Sequence, residues 1–241
     1  MSFLNAAAPE AADRYGWAWR LDDAPNPWFS WDYVRDNVQI LADALVEHLL
    51  LVGVSIVIAV LIGIPLGIVA YRVKWLTGPI LGLTGVLYTV PSLALFALLA
   101  PFTGIGRTTV LIGLVAYALL IIVRNTLTGL QQVPYDVKDA AAGMGYSRRD
   151  MLTRIEIPLA IPAILTGLRI ATVSTVALVT VGVAVGYGGL GQLILEGFQA
   201  NEYRAEIATA TILVVGLALV LDLLLAGVGR MATPWAKGRS R

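Results

Sequence analysis

The sequence contains no cysteine, one histidine and only three lysines in 241 residues. Without cysteine there is no disulfide framework, no thiolate metal site and no cysteine nucleophile. His48, the single histidine, cannot build a metal site by itself. None of the lysines (Lys74, Lys138, Lys237) follows a glycine-rich lead-in, so the phosphate loop G-x-x-x-x-G-K-[ST] is absent and the chain supplies no nucleotide site by itself. No carboxylate pair or Ser/His pair offers a catalytic residue. Charge is scarce as well, at 14% of residues, and a net charge of +1 gives no ground for a nucleic-acid partner. The first 30 residues lack a basic start followed by an apolar core, so a cleaved signal peptide is not expected.

What remains is apolar. Hydrophobic residues make up 58% of the chain and the mean hydropathy is +0.78, which does not suit a soluble domain. Crossing the hydrocarbon core as a helix takes about 20 apolar residues. Five stretches qualify, at about 49–71, 79–101, 108–130, 161–187 and 207–229. The expectation is therefore an all-α, polytopic membrane protein with five transmembrane helices. Residues 1–44 read as an extracytoplasmic tail leading into an interfacial amphipathic helix (Trp31 to Glu47), 45–229 as the transmembrane domain, and 230–241 as a basic cytoplasmic tail. Placing the long polar loop 131–160 inside puts twelve of the seventeen lysines and arginines on or near the cytoplasmic side. That sets the N-terminus outside and the C-terminus inside the plasma (inner) membrane.

The loop itself carries helix punctuation. Pro134 suits a first helical turn, where its missing amide would be unpaired anyway. Ala140, Ala141 and Ala142 favour helix with almost no side-chain bulk, and Gly145 supplies a left-handed stop. Ser147 and Asp150 have capping-box spacing and start a second short helix, expected to end before Pro158. Two short helices meeting at a glycine corner make a shaped knob.

The pattern Asp139-Ala140-Ala141, then Gly145, then Ile155-Glu156-Ile157-Pro158 resembles the "EAA" loop of binding-protein-dependent ABC importer permeases, with Asp for the usual Glu and Ile157 for the usual Leu. Tyr88-Thr89-Val90-Pro91-Ser92-Leu93-Ala94, Arg124-Asn125-Thr126 and Gly188-Gly189-Leu190-Gly191 are similar to permeases of osmoprotectant (glycine betaine, carnitine, choline) importers. The resemblance implies a type I ABC importer permease core and a transport role without catalysis in this chain. It implies as partners an ABC ATPase dimer that binds ATP and Mg, an extracytoplasmic solute-binding protein, membrane lipid, and a second permease copy or paralogue. It assigns ATPase coupling to Asp139, Ala140, Ala141, Gly145, Arg148, Arg149, Ile155 and Pro158. Another cargo on the same architecture (methionine, an alkylsulfonate, ergothioneine) and a non-transporting assembly subunit are the alternatives.

Elsewhere single residues stand out. Tyr88, Thr89, Pro91 and Ser92 in the second span either line a passage beside a proline kink or form a kink satisfied within the bundle. Thr172 and Thr175 recur near one face of the fourth span, as passage lining or as interhelical glue. Asp222 in the fifth span needs a partner, and Arg169 or Arg124 lies at similar depth. His48 is placed at the mouth of the first span, as an interfacial contact. The pairs Gly63/Gly67, Gly78/Gly82 and Gly182/Gly186 have the small-xxx-small spacing of close helix packing. Trp17, Trp19, Trp28 and Trp31 read as an interfacial belt in preference to an aromatic cage, and Leu193 to Phe198 as a segment lying in the outer interface.

Overall fold

A computed structural model describes residues 26–200 and 202–234. The tail over 1–25, with Trp17 and Trp19, and the basic stretch 235–241 lie outside the described residues. Among the described residues the chain is all helix, without a strand.

The first helix, α1 (Trp31–Asp36), is capped by Ser30, whose hydroxyl accepts from the Tyr33 amide at 3.3 Å. It stops at Asn37, whose side-chain amide donates to the Tyr33 carbonyl at 2.9 Å. From there α2 (Val38–Arg72) runs unbroken for 35 residues. The interfacial helix expected over 31–47 is thus divided at Asn37, and its second half belongs to the first span. The same fact relocates His48. Ten residues into α2, about 15 Å from its start, it is fully buried, with Nε2 3.0 Å from the Val176 carbonyl. It ties α2 to a distant helix and is not an interfacial contact.

The stretch expected as one span at 79–101 is two helices, α3 (Lys74–Thr89) and α4 (Ser92–Thr103), bent by 99°. Pro91 has no amide to give, and the residue before a proline is pushed out of the helical region. Val90 accordingly sits at φ −64, ψ 128. Beyond the break α4 packs on α5 (Arg107–Gln131) through fully buried Phe96, which lies against Gly113.

The helix α5 is the hub of the bundle. Lipid tails are as apolar as leucine, so helices here associate by close contact and not by hydrophobic expulsion. Missing side chains create that contact. A Cβ on Gly67 would lie 2.6 Å from Thr126 Cβ, and one on Gly63 2.9 Å from Ile122. On the other side, a Cβ on Gly167 would lie 2.4 Å from Asn125 Cβ, and one on Gly129 2.9 Å from Ala163. Of the three expected glycine pairs, only Gly63/Gly67 forms such a seam. Gly78 and Gly82 face open space, and Gly186, at φ +76, ends a turn.

After the polar loop come α6 (Tyr135–Gly143) and α7 (Arg148–Met151), followed by a π-helical turn (Leu152–Glu156) and α8 (Ile157–Val181). The second short helix does not end before Pro158. In the π turn the Ile157 amide reaches back five residues to the Leu152 carbonyl. That widening makes room for the proline ring, which in a regular helix would strike the carbonyl four residues back. Arg148 to Val185 is one continuous helical run. Next, α9 (Leu190–Gln199) buries Leu190 and Leu193 against the bundle and exposes Phe198, so it packs where an interfacial segment was expected. The last helix is α10 (Arg204–Ala232). Its start is held by Asn26, which accepts from the Arg204 amide at 3.0 Å and donates to the Glu202 carbonyl at 2.9 Å. Trp28 and Trp31 are exposed, with the Arg204 guanidinium 5.2 Å above the Trp28 ring.

Gly67→Leu is expected to wedge α2 from α5 at a cost of about 1–3 kcal/mol, while Gly82→Leu is neutral. Thermal unfolding of the two variants in detergent checks this, and equal midpoints would contradict the seam.

Candidate coupling knob and broken-helix cavity

The knob is built as its sequence dictates. α6 closes with paired bonds, from the Gly145 amide to the Ala142 carbonyl (3.0 Å) and from the Tyr146 amide to the Ala141 carbonyl (3.1 Å). This closure needs a left-handed residue, and Gly145 has φ +83. Ser147 then caps α7, accepting from the Asp150 amide at 3.1 Å, and its hydroxyl donates to the Asp150 carboxylate. Asp150 also meets Arg154 at 3.5 Å. Ala141 is buried, while Asp139, Ala140, Arg148 and Arg149 are exposed. Tyr135, Val137, Met144 and Tyr146 are exposed as well, so a polar loop also offers apolar side chains on its surface.

Two bonds fasten the knob to the first span. The Tyr71 hydroxyl donates to Glu156 Oε1 at 2.6 Å, and Arg72 Nη1 donates to the Arg148 carbonyl at 3.1 Å. Glu156 is buried within the π turn, so its carboxylate depends on that tyrosine.

At the α3–α4 break lies a cavity of about 440 Å³. Tyr88, Thr89, Val90, Pro91 and Ser92 form one side, Tyr117 and Ile121 of α5 another, and Ser174 and Thr175 of α8 the third. The Tyr117 hydroxyl donates to the Val90 carbonyl that the break leaves over. Its ring meets Tyr88 edge to face, with centroids 5.7 Å apart. Thr172 is not in this wall; it is buried and donates to the Leu168 carbonyl of its own helix at 2.8 Å. Lower down, Arg169 grips Asp222 with two bonds, at 2.9 and 2.8 Å, joining α8 to α10. Arg124 is exposed and takes no part in that pair.

Residues 59–233 match the family described as "Binding-protein-dependent transport system inner membrane component". The chain belongs to this family. It is 39% identical over 207 residues to the osmoprotectant import permease protein OsmW of Salmonella typhimurium, covering 84% of this chain and 96% of that protein. To the glycine betaine/carnitine/choline transport system permease protein OpuCD of Bacillus subtilis it is 33% identical over 205 residues, covering 85% and 90%. An inward-facing structure of the MetNI methionine ABC transporter superposes with a TM-score of 0.76 at 22% identity, over 82% of this chain and 98% of that chain, which establishes a shared fold.

The chain is thus a multi-pass inner-membrane transport component, and family membership implies an ATPase and a solute-binding protein as partners. Within this permease the structure brings Tyr88, Thr89, Pro91, Ser92 and Thr175 together around one cavity and leaves Thr172 and Arg124 outside their expected groupings. Sequence reasoning missed Tyr71 and Tyr117, and took Glu156 only as part of the loop pattern. Glu156 carried a signal, a lone charge between Ile155 and Ile157. The two tyrosines act across separations of 85 and 27 residues, and no local pattern announces them.

Tyr71→Phe strands the buried Glu156 carboxylate and should cost about 1–3 kcal/mol, seen as a lower melting temperature and faster proteolysis of the knob. Unchanged melting and proteolysis would rule out the tether.

Proposed function

We propose that this permease is the transmembrane subunit of an ABC importer for small osmoprotectants of the glycine betaine, carnitine and choline kind. The observation that carries the coupling half of this reading is the tethered knob. Apolar side chains stand exposed on the loop, and the helix below it is pinned to α2 by the Tyr71–Glu156 and Arg72–Arg148 bonds. The names of the relatives support the cargo half. ATP and Mg are held by a separate ATPase dimer, in keeping with the missing phosphate loop in this chain.

In this mechanism the knob faces the cytoplasm, with the N-terminus outside, as the lysine and arginine bias favours. A groove on the ATPase receives Asp139 to Met144, with Arg148 and Arg149 at its rim and Ile155 and Pro158 behind. The slim alanine face of α6 lets the knob enter, and Gly145 fixes the angle between the two short helices. Closure of the ATPase pair moves the knob, and the unbroken helix from Arg148 to Val185 carries that displacement into the bundle. An external binding protein delivers solute to the outer turns. A second copy or a paralogue completes the passage.

Gly145→Trp forces a bulky side chain into a left-handed backbone at about 1–2 kcal/mol. ATP-driven uptake in the reconstituted complex should fall, with membrane insertion intact, because the altered corner no longer presents the knob to the ATPase groove. Normal uptake by the variant would remove the coupling role.

A further inference from the structure

We infer that the cavity at the Val90–Pro91 break is a binding site, inside the permease itself, for the quaternary ammonium group of the solute. The inference deepens the osmoprotectant reading and rests on it for the identity of the cargo. Four observations on the cavity point the same way.

Its wall carries no Asp, Glu, Lys or Arg, yet it holds two tyrosine rings inclined at 67° to one another. Crossed rings present a corner of π faces, and the negative face of an aromatic ring attracts a cation that has no hydrogens to donate. Tyr117 is held in place, because its hydroxyl is committed to the Val90 carbonyl; a fixed ring loses little freedom on binding. The helix α3 ends in this wall, with Tyr88, Thr89 and Val90 at its C-terminus, where unpaired carbonyls and the helix dipole place partial negative charge. Thr175 supplies the fourth. It is 1% exposed and lines the cavity, so its side chain forms part of the wall that a ligand would meet. Its hydroxyl is a neutral dipole whose oxygen lone pairs can turn toward a cation that offers no hydrogen of its own.

The position fits transit. Thr89 lies about 22 Å along α3 from Lys74, within a hydrocarbon core of about 30 Å. A neutral aromatic corner holds a permanent cation without trapping it, and a transport step needs both properties. A formal carboxylate there would bind more tightly and release more slowly. The permease would then select cargo a second time, after the binding protein.

The absence of native cysteine makes the test clean. Ser174→Cys places one thiol on the cavity wall of the full chain in the assembled complex, and its alkylation rate by a maleimide is measured. Choline should slow the reaction several-fold, whereas 3,3-dimethylbutan-1-ol, its neutral carbon isostere, should not. Adding Tyr88→Leu should weaken protection by choline about tenfold, and Tyr88→Phe should restore it. Tyr88 is 42% exposed, so neither change threatens folding. Thr175→Val should also weaken protection, whereas a purely structural hydroxyl would leave it unchanged. Equal protection by the isostere, or none by choline, overturns the inference. The cargo reading is scored separately by ATP-driven uptake of choline and glycine betaine. Uptake without protection sinks the cavity site alone, and protection without uptake sinks the cargo assignment while the site stands.

Discussion

The structure depends on one backbone adjustment, the π turn at Leu152–Glu156. A proline at position 158 would ordinarily end or kink a helix. Here one added residue in the turn before it absorbs the steric conflict, and the chain stays helical from Arg148 to Val185, past Pro162 as well. The same turn aims Glu156 inward, where Tyr71 holds it. A knob, a tether and a transmembrane helix therefore become one mechanical part. Without the turn, the knob would be a flap on a flexible joint, and its displacement would be lost at the proline.

Pro91 makes the opposite choice. No π turn precedes it, the helix stops, and α4 leaves at 99°. In lipid the freed carbonyls must be satisfied from within the protein, and Tyr117 meets one of them. The fold thus uses one proline to keep a helix continuous and another to open a cavity, both in contact with helices that α5 organises. Gly63, Gly67, Gly129 and Gly167 bring α2 and α8 against α5 so closely that a methyl group at any of them would collide. A bundle clamped this tightly favours rigid-body shifts over local bending.

Much of this was readable in advance because it is local. Helical runs in α5 and α10 follow directly from hydropathy, and α6 ends where Gly145 demands a left-handed residue. Ser147 caps α7 as its spacing to Asp150 requires. The resemblance of the loop to ABC importer permeases led to the family that residues 59–233 match. What the sequence concealed is long-range or conformational. Tyr71 is an ordinary residue until the fold joins it to Glu156, and nothing near Pro91 or Pro158 tells which proline breaks its helix. His48 read as an interfacial residue because the start of α2 was placed too late. The choice between Arg169 and Arg124 for Asp222 was a matter of helix rotation, which hydropathy does not encode.

On this account Arg148 to Val185 moves as a rod. Spin labels on Thr153→Cys and Val173→Cys, twenty residues apart on either side of Pro158 and both exposed, report on it directly in the otherwise cysteine-free chain. Their separation should be about 30 Å and unchanged when ATP closes the assembled transporter, while distances from Thr153 to the second permease copy shift. A shortening of the intrahelical distance on ATP binding would mean that the helix hinges at Pro158 or Pro162, and the rod would have to be given up.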